Sequence, residues 1–229
     1  MSLVPSLTEA LAATRPDALI GATDWCTHPA DLDVTRVRGT KNPDLAAIRA
    51  LEPDLVIANQ EENRELDVQR LRDSGVPVWV TRIRTLDEAF TSMRRMFDAL
   101  GWESPPWLAD AESNWAAPRT DGRRVAVCIW RDPWMVVGSQ TFTGDLLDRL
   151  GLVNVFADST ERYPHTTPDD ILALQPDLVV LPDEPYVFTA DDGPEAFPTV
   201  PARLVEGRSL TWYGPSLVTA REELISQLS

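Results

Sequence analysis

The chain has 229 residues, 43% of them hydrophobic, with 11 glycines and 19 prolines spread along it. That suits a buried core in one large or two small domains and matches no disordered or fibrous composition. Its 36 acidic residues outweigh 21 basic ones, a net charge of -15. A field of that sign repels phosphate backbones and no basic patch offsets it, which argues against nucleic acid as a partner.

Met1-Ser2-Leu3-Val4-Pro5 has no basic n-region and no long apolar segment, and no stretch reaches the length of a membrane span. The expectation is a cytoplasmic protein as the sequence stands, or an extracytoplasmic one if the true N-terminus lies upstream. Ser2–Val4 reads as a very short strand. Ser6-Leu7-Thr8-Glu9 reads as a capping box, serine as cap and glutamate three residues on, opening a helix to about Thr14. Ala18–Ala22 is a second short strand. Glu62–Ser74 is an amphipathic helix, Val76–Thr81 a strand, and Thr85-Leu86-Asp87-Glu88 another capping box. The helix it opens carries Phe90, Met93, Phe97 and Leu100 on one face.

Pro105-Pro106 and Pro118 then bracket Trp107–Ala117, a helical stretch spanning about 16 Å. The residues 102–122 read as a linking helix region between an N-terminal α/β lobe, 1–101, and a C-terminal α/β lobe, 123–229. The second lobe opens with a strand at Val125–Trp130, a turn at Arg131-Asp132-Pro133 and a strand at Trp134–Val137. A helix follows over Gly144–Leu150. Thr189–Pro198 is an acidic, proline-bearing loop and Ser216–Leu228 a closing helix. Cys26 and Cys128 have apolar or aromatic neighbours and read as buried free thiols, since two distant cysteines make neither a disulfide framework nor a thiolate metal cluster.

The strongest internal signal is a repeat. Ile48-Arg49-Ala50-Leu51-Glu52-Pro53-Asp54-Leu55-Val56-Ile57 returns 123 residues later as Ile171-Leu172-Ala173-Leu174-Gln175-Pro176-Asp177-Leu178-Val179-Val180. Each copy reads as a helix end stopped by proline, then a strand buried on both faces. Asn42-Pro43 and Thr167-Pro168 each place a capping side chain before a proline at the first helical position. Two copies of one αβ unit predict an α/β fold with two mostly parallel-sheet lobes joined by a single linking helix.

The chain has eight tryptophans, and their placement carries the functional expectation. Trp25, Trp130 and Trp212 fall at or past strand ends, with Tyr163 and Tyr213 in similar loops. The carboxyl ends of strands line the crevice where open α/β sheets bind ligands, and ring faces offer rigid contact there. Trp79 reads as core, while Trp102, Trp107 and Trp115 pin the linking region. His28 and His165 lie in loops, where bonding to solvent or backbone is the plainer reading, and no metal-ligand spacing surrounds them. No Gly-x-Ser-x-Gly elbow, phosphate-binding Gly-Lys-Ser/Thr loop or Gly-x-Gly-x-x-Gly is present, so no residue is assigned to catalysis.

Val4-Pro5-Ser6-Leu7-Thr8-Glu9, the Leu51-x-Pro53-Asp54-Leu55-Val56-Ile57 phrase and Trp134-Met135-Val136-Val137-Gly138 resemble the cobalamin-binding, helical-backbone metal receptor family. These are the substrate-binding proteins of ABC importers for cobalamin, siderophores and haem. The resemblance covers nearly the whole chain and implies a class III periplasmic-binding-protein-like fold holding a corrinoid or other metal chelate between its lobes, with no catalytic cofactor. Pro5 and Ser6 fall at the first-lobe rim, beside Glu9. Trp25 falls where cobalamin binders set an aromatic against the corrin, and Trp130, Tyr163, Trp212 and Tyr213 fall on the second-lobe side. Asn59 and Gln60 stand where a second first-lobe aromatic is usual, turning a stacking wall into a hydrogen-bonding one. The linking helix is short for the family, and the family's export signal is missing. Glu65 and Asp169 match the acids that dock on arginines of the importer permease.

The leading expectation is therefore binding of cobalamin or a related corrinoid without catalysis. A ferric siderophore or haem is the first alternative, with Arg36, Arg38 and Arg131 able to meet an anionic chelate. A cytoplasmic corrinoid- or chelate-handling enzyme using His28 or His165 is the second, and an interaction module without a small ligand the third.

Overall fold

A computed structural model describes residues Met1–Ser229. Helix α1 (Pro5–Thr14) is followed by the short strands β1 (Gly21–Ala22), β2 (Thr35–Arg36), β3 (Arg38–Gly39) and β4 (Asn42–Pro43). Next come α2 (Leu45–Ala50), β5 (Val56–Asn59), α3 (Glu65–Asp73), β6 (Val78–Thr81), α4 (Leu86–Ala99) and α5 (Pro106–Trp115). The remainder runs β7 (Arg124–Trp130), β8 (Met135–Val136), α6 (Phe142–Arg149), β9 (Val153–Asn154), α7 (Pro168–Ala173), β10 (Leu178–Pro182), β11 (Ala202–Val205), α8 (Gly207–Thr211) and α9 (Leu217–Gln227). No helix is long and apolar enough to cross a membrane.

The chain divides into two compact units. The first holds Met1–Ile83, Thr91–Pro105 and Tyr213–Pro215, and the second Arg84–Phe90, Pro106–Trp212 and Ser216–Ser229. The chain passes between them after Ile83, after Phe90 inside α4, after Pro105, after Trp212 and after Pro215.

In the first unit β1 pairs in parallel with β2, and β5 with β6. Ser2 bridges both Ala22 and Ile57 in parallel, joining the two pairs. The expected strand at Ser2–Val4 shrinks to that bridge because Pro5 starts a helix at once. Met1, Leu3, Ile48, Val56 and Leu71 are buried in the core beneath. In the second unit the order is β11-β10-β7-β8, with β9 on the start of β7. All these pairings are parallel except β7 with β8. Ala126, Cys128, Val179, Leu181 and Ile171 fill its core, and each large side chain buried in this way contributes about 1.5–3 kcal/mol over leaving it in water. Both cysteines are buried free thiols.

The repeated phrase folds the same way twice. Helices α2 and α7 are capped by Leu51 and Leu174, and the next residues, Glu52 and Gln175, sit at φ 46° and 52°. A residue before proline resists continuing a right-handed helix, so each copy leaves it through a left-handed corner. The corner N–H groups bond Arg49 O at 3.1 Å and Leu172 O at 3.0 Å. The strand entries match as well, with Val56 N on Pro77 O and Val179 N on Pro201 O, both at 2.9 Å.

The helix starts follow the sequence signals less closely. Thr167 caps α7 through Asp170 N, as expected. Ser6 does not cap α1; Val4 holds that position without a side-chain bond, and Ser6 is buried inside the helix. Pro5 at the first helical position sets the start instead, since its ring presets φ and it has no N–H to satisfy. Asn42-Pro43 does not open α2 but forms β4, paired antiparallel with β3. Asp44 is the cap, accepting from Ala46 N at 3.1 Å and Ala47 N at 3.0 Å. At α4, Thr85 Oγ1 accepts from Glu88 N, while the Glu88 carboxylate takes the N–H of Arg84, one residue before the cap. Strands β2, β3, β9 and β11 and helix α8 have no counterpart in the sequence reading, being too short for a clear periodic signal.

Candidate functional site

In the first unit the loop after β1 carries Trp25. Arg36 ties this loop down, donating to Thr23 O at 3.0 Å, Cys26 O at 2.8 Å and Leu32 O at 3.1 Å. Beneath it the Cys26 thiol lies 3.1 Å from both Thr8 Oγ1, which donates to it, and Thr23 Oγ1. Trp25 is 66% exposed. Its indole rests on Gly39, where an added Cβ would lie 3.1 Å from Trp25 Nε1. A large ring fixed at its edge and open over most of its surface is unusual for a side chain with so much apolar area.

The loop after β5 is cross-braced. Asn59 donates from Nδ2 to Thr81 Oγ1 at 3.0 Å and accepts at Oδ1 from Glu61 N at 2.8 Å. Both ends of its amide are thus used inside the unit, and the side chain is buried. Gln60 is exposed and is what this strand end presents outward. Asn63, overlooked in the sequence, holds the loop: its Oδ1 accepts from Asn59 N at 2.8 Å, and its Nδ2 donates to Thr40 O at 3.1 Å and Leu3 O at 3.3 Å. Lys41 donates to Glu61 O. Burial pushes the neighbouring Glu62 carboxyl above the usual carboxylate range, opposed by Lys41.

Pro5 is half-buried and Ser6 buried at the start of α1. Tyr213 is buried beside them: a Cβ on the adjacent Gly214 would stand 3.0 Å from Ser6 O. The fold therefore brings the Tyr213-Gly214 segment onto Ser6 from the far end of the chain, and Tyr213 belongs to the first unit.

In the second unit Trp130 ends β7 and is 42% exposed. It meets Tyr186 edge-on at 5.6 Å, and Tyr186 meets Phe188 at 4.7 Å. Tyr186 donates to Asp192 at 2.7 Å, and that bond pushes its phenol pKa up. Arg131 pairs with Asp192 and Glu195 and lies over Trp134. Tyr186 and the 64% exposed Val187 follow β10, the second copy of the repeated strand; its carboxyl end was the signal that would have found them. Tyr163 is half-buried under the Arg162 guanidinium, 5.5 Å from its ring centre. Its loop lies directly on Gly138, whose N–H donates to Arg162 O at 2.8 Å. A Cβ there would stand 2.3 Å from Glu161 O. Trp212 is buried, with Arg208 5.9 Å from its ring.

Glu65 and Asp169 are exposed in the first turns of α3 and α7. His28 is half-buried and 3.1 Å from Thr27 Oγ1, and His165 is exposed. No group of three or more His, Cys, Asp or Glu side chains is placed to hold a metal ion.

No family model matches the chain. A vitamin B12-binding protein of Pectobacterium atrosepticum is 25% identical to it, in an alignment covering 100% of this chain and 88% of that protein. Among solved structures, the periplasmic haem-binding protein RhuT of Roseiflexus sp. RS-1 superposes with a TM-score of 0.81 at 21% identity, covering 99% of this chain and 95% of that one. The periplasmic vitamin B12-binding protein BtuF of Vibrio cholerae gives a TM-score of 0.75 at 21% identity, covering 99% and 94%. The chain has the class III periplasmic-binding-protein fold. Its sequence resembles the helical-backbone metal receptors across its whole length, as the motifs at Val4–Glu9 and Leu51–Ile57 led one to expect. The curated relatives are binding proteins.

Proposed function

We propose that this protein binds cobalamin or a related corrinoid, without catalysis, on aromatic ring surfaces carried by loops at strand ends. The observation that carries this is Trp25, a tryptophan two-thirds exposed yet anchored by Gly39 under a loop that Arg36 fixes. Such a preorganised face loses little entropy when a flat apolar ligand covers it. Trp130 with Tyr186, and Tyr163, supply like surfaces in the second unit. Gln60 supplies hydrogen bonds to amides at the ligand edge, and Asn59 and Asn63 hold it in place.

The cations bear on ligand choice. Arg36 is spent on three carbonyl groups and Arg131 on two carboxylates. Arg38, 70% exposed and 3.7 Å from Asp44, alone of the three is left to meet a highly anionic ferric chelate, which favours a macrocycle of low charge. Glu65 and Asp169 serve as docking points for basic groups of an importer permease, one acid on each unit. That partner would place the working protein outside the cytoplasmic membrane.

Calorimetric titration with cobalamin, cobinamide and haem tests the proposal. One corrinoid per chain is expected, and Trp25→Ala with Tyr163→Ala should abolish most of the affinity while the circular dichroism spectrum stays native. Undiminished binding in the double variant would remove the rings from the site. Chemical change in the bound ligand would replace binding with enzymatic handling.

A further inference from the structure

The acidic loop at 189–198 is bonded to the ring surface of the second unit through one arginine. Arg131 directly follows Trp130 in the chain and pairs with both Asp192 and Glu195. Each carboxylate uses its other oxygen within the same unit. Asp192 Oδ2 accepts from the Tyr186 hydroxyl at 2.7 Å, and Glu195 Oε2 accepts from Gly193 N at 2.6 Å. The loop is pinched between them, Thr189 N donating to Asp192 O at 3.0 Å and Asp192 N to Thr189 O at 3.3 Å. Gly193, at φ 130°, lies against Phe188, where a Cβ would stand 2.7 Å from the ring.

A guanidinium and a phenol thus meet on one carboxylate. The side chains of Arg131, Asp192 and Glu195 are 24%, 41% and 49% exposed, and ion pairs this wet contribute little to folding stability. What the network fixes is direction. Trp130 and Phe188 set the Tyr186 ring, and Asp192 sets its hydroxyl. Arg131 in turn holds Asp192 and offsets the like charges of Asp191, Asp192 and Glu195, which fall within five residues of loop.

We propose that Arg131, acting through Asp192, is a positioning residue for the Trp130–Tyr186 ring pair, presetting the stacking surface of the second unit without itself touching the ligand. The role rests on the binding function proposed above. A ring held in advance does not have to be ordered when the ligand arrives, and ordering one freed side chain lowers affinity by a factor of about three to ten.

Calorimetric titration of cobalamin into a set of variants tests the role. Tyr186→Phe keeps the ring and loses the bond to Asp192, while Arg131→Gln loses the charge that holds Asp192. Each should weaken cobalamin about three- to tenfold, with urea unfolding little changed. Because both act on one carboxylate, the double variant should lose about as much as either single one, not the product of the two. In a Tyr186→Ala background Arg131→Gln should cost nothing further. Arg131→Lys should recover part of the wild-type affinity, since an ammonium keeps the charge but not the fork. An arginine with only a structural role would weaken binding by the same factor with or without the Tyr186 ring, and that result overturns the proposal. So do single losses that multiply in the double variant, and wild-type affinity in Tyr186→Phe, which decides the matter if Arg131→Gln fails to fold. These outcomes leave corrinoid binding standing. Wild-type protein that binds no corrinoid ends the binding function and the positioning role together.

Discussion

Trp25 and the loop that carries Tyr163 each rest on a glycine, one in each unit, yet the two rings are held differently. In the first unit the contact is between side chain and glycine: the Trp25 indole edge lies on Gly39, and the ring stays largely open. In the second it is between backbone and glycine: the carbonyl groups of Glu161 and Arg162 press on Gly138, and Tyr163 is carried along by its loop. A side chain can tilt to relieve a crowded neighbour, whereas a backbone run hydrogen-bonded on both sides cannot. The first ring can therefore shift without moving its backbone, whereas the second moves only if its loop does; removing either side chain leaves those backbone contacts in place.

The sharpest way to break this comparison is Gly138→Ala. The new methyl must displace backbone oxygen, so about 2 kcal/mol or more of stability should be lost in urea unfolding, with ligand affinity falling in step. A variant as stable as wild type would show that the loop yields. Next in size is Trp25→Ala. It should cost about 1.5–3 kcal/mol of ligand binding, a tenfold loss or more, while stability changes by no more than about 0.5 kcal/mol. Calorimetry and unfolding read on the same sample check both halves of that statement.

Gly39→Ala should fall between stability and function. The added methyl would crowd the flexible end of Asn42 and the indole of Trp25, so the ring shifts, tryptophan fluorescence changes and affinity drops severalfold with little loss of stability. Smallest is Glu62→Gln. The folded state holds this carboxyl's pKa above its ordinary value, mainly by burial. Its ionisation therefore opposes folding: the native state binds the proton more tightly, so wild-type stability declines as pH rises from the unfolded carboxyl pKa through the raised folded value. The variant should be the more stable near neutral pH and lose that advantage in acid. A pH-independent difference would show that Lys41 fully offsets the burial.

What the sequence made legible was local. The repeated phrase was readable because a proline ending a helix and an apolar run after it are adjacent in the chain, and both copies fold alike down to the corner at Glu52 and Gln175. Rings at strand ends were readable by the same logic. Asn63 and Gly138 were not: their partners, Leu3 and Thr40 for one and the Glu161–Pro164 loop for the other, lie 20 or more residues away. The serine expected to cap α1 misled because a proline nearby offered a cheaper start. Asn59 was recognised as a polar substitute for an aromatic, but only the structure reveals that its amide is bonded to Thr81 and Glu61 and leaves the outward role to Gln60.

One cysteine in each unit gives the protein a pair of internal reporters. Cys128 sits at the centre of β7, and burial drives its thiol far from the thiolate that reacts with maleimides. Modification must wait for the surrounding strands to open. Cys26 is equally enclosed, beneath the Trp25 loop. Timing the two labels by mass spectrometry would clock the excursions of each half from its native state, and adding the ligand would show which half it quiets first.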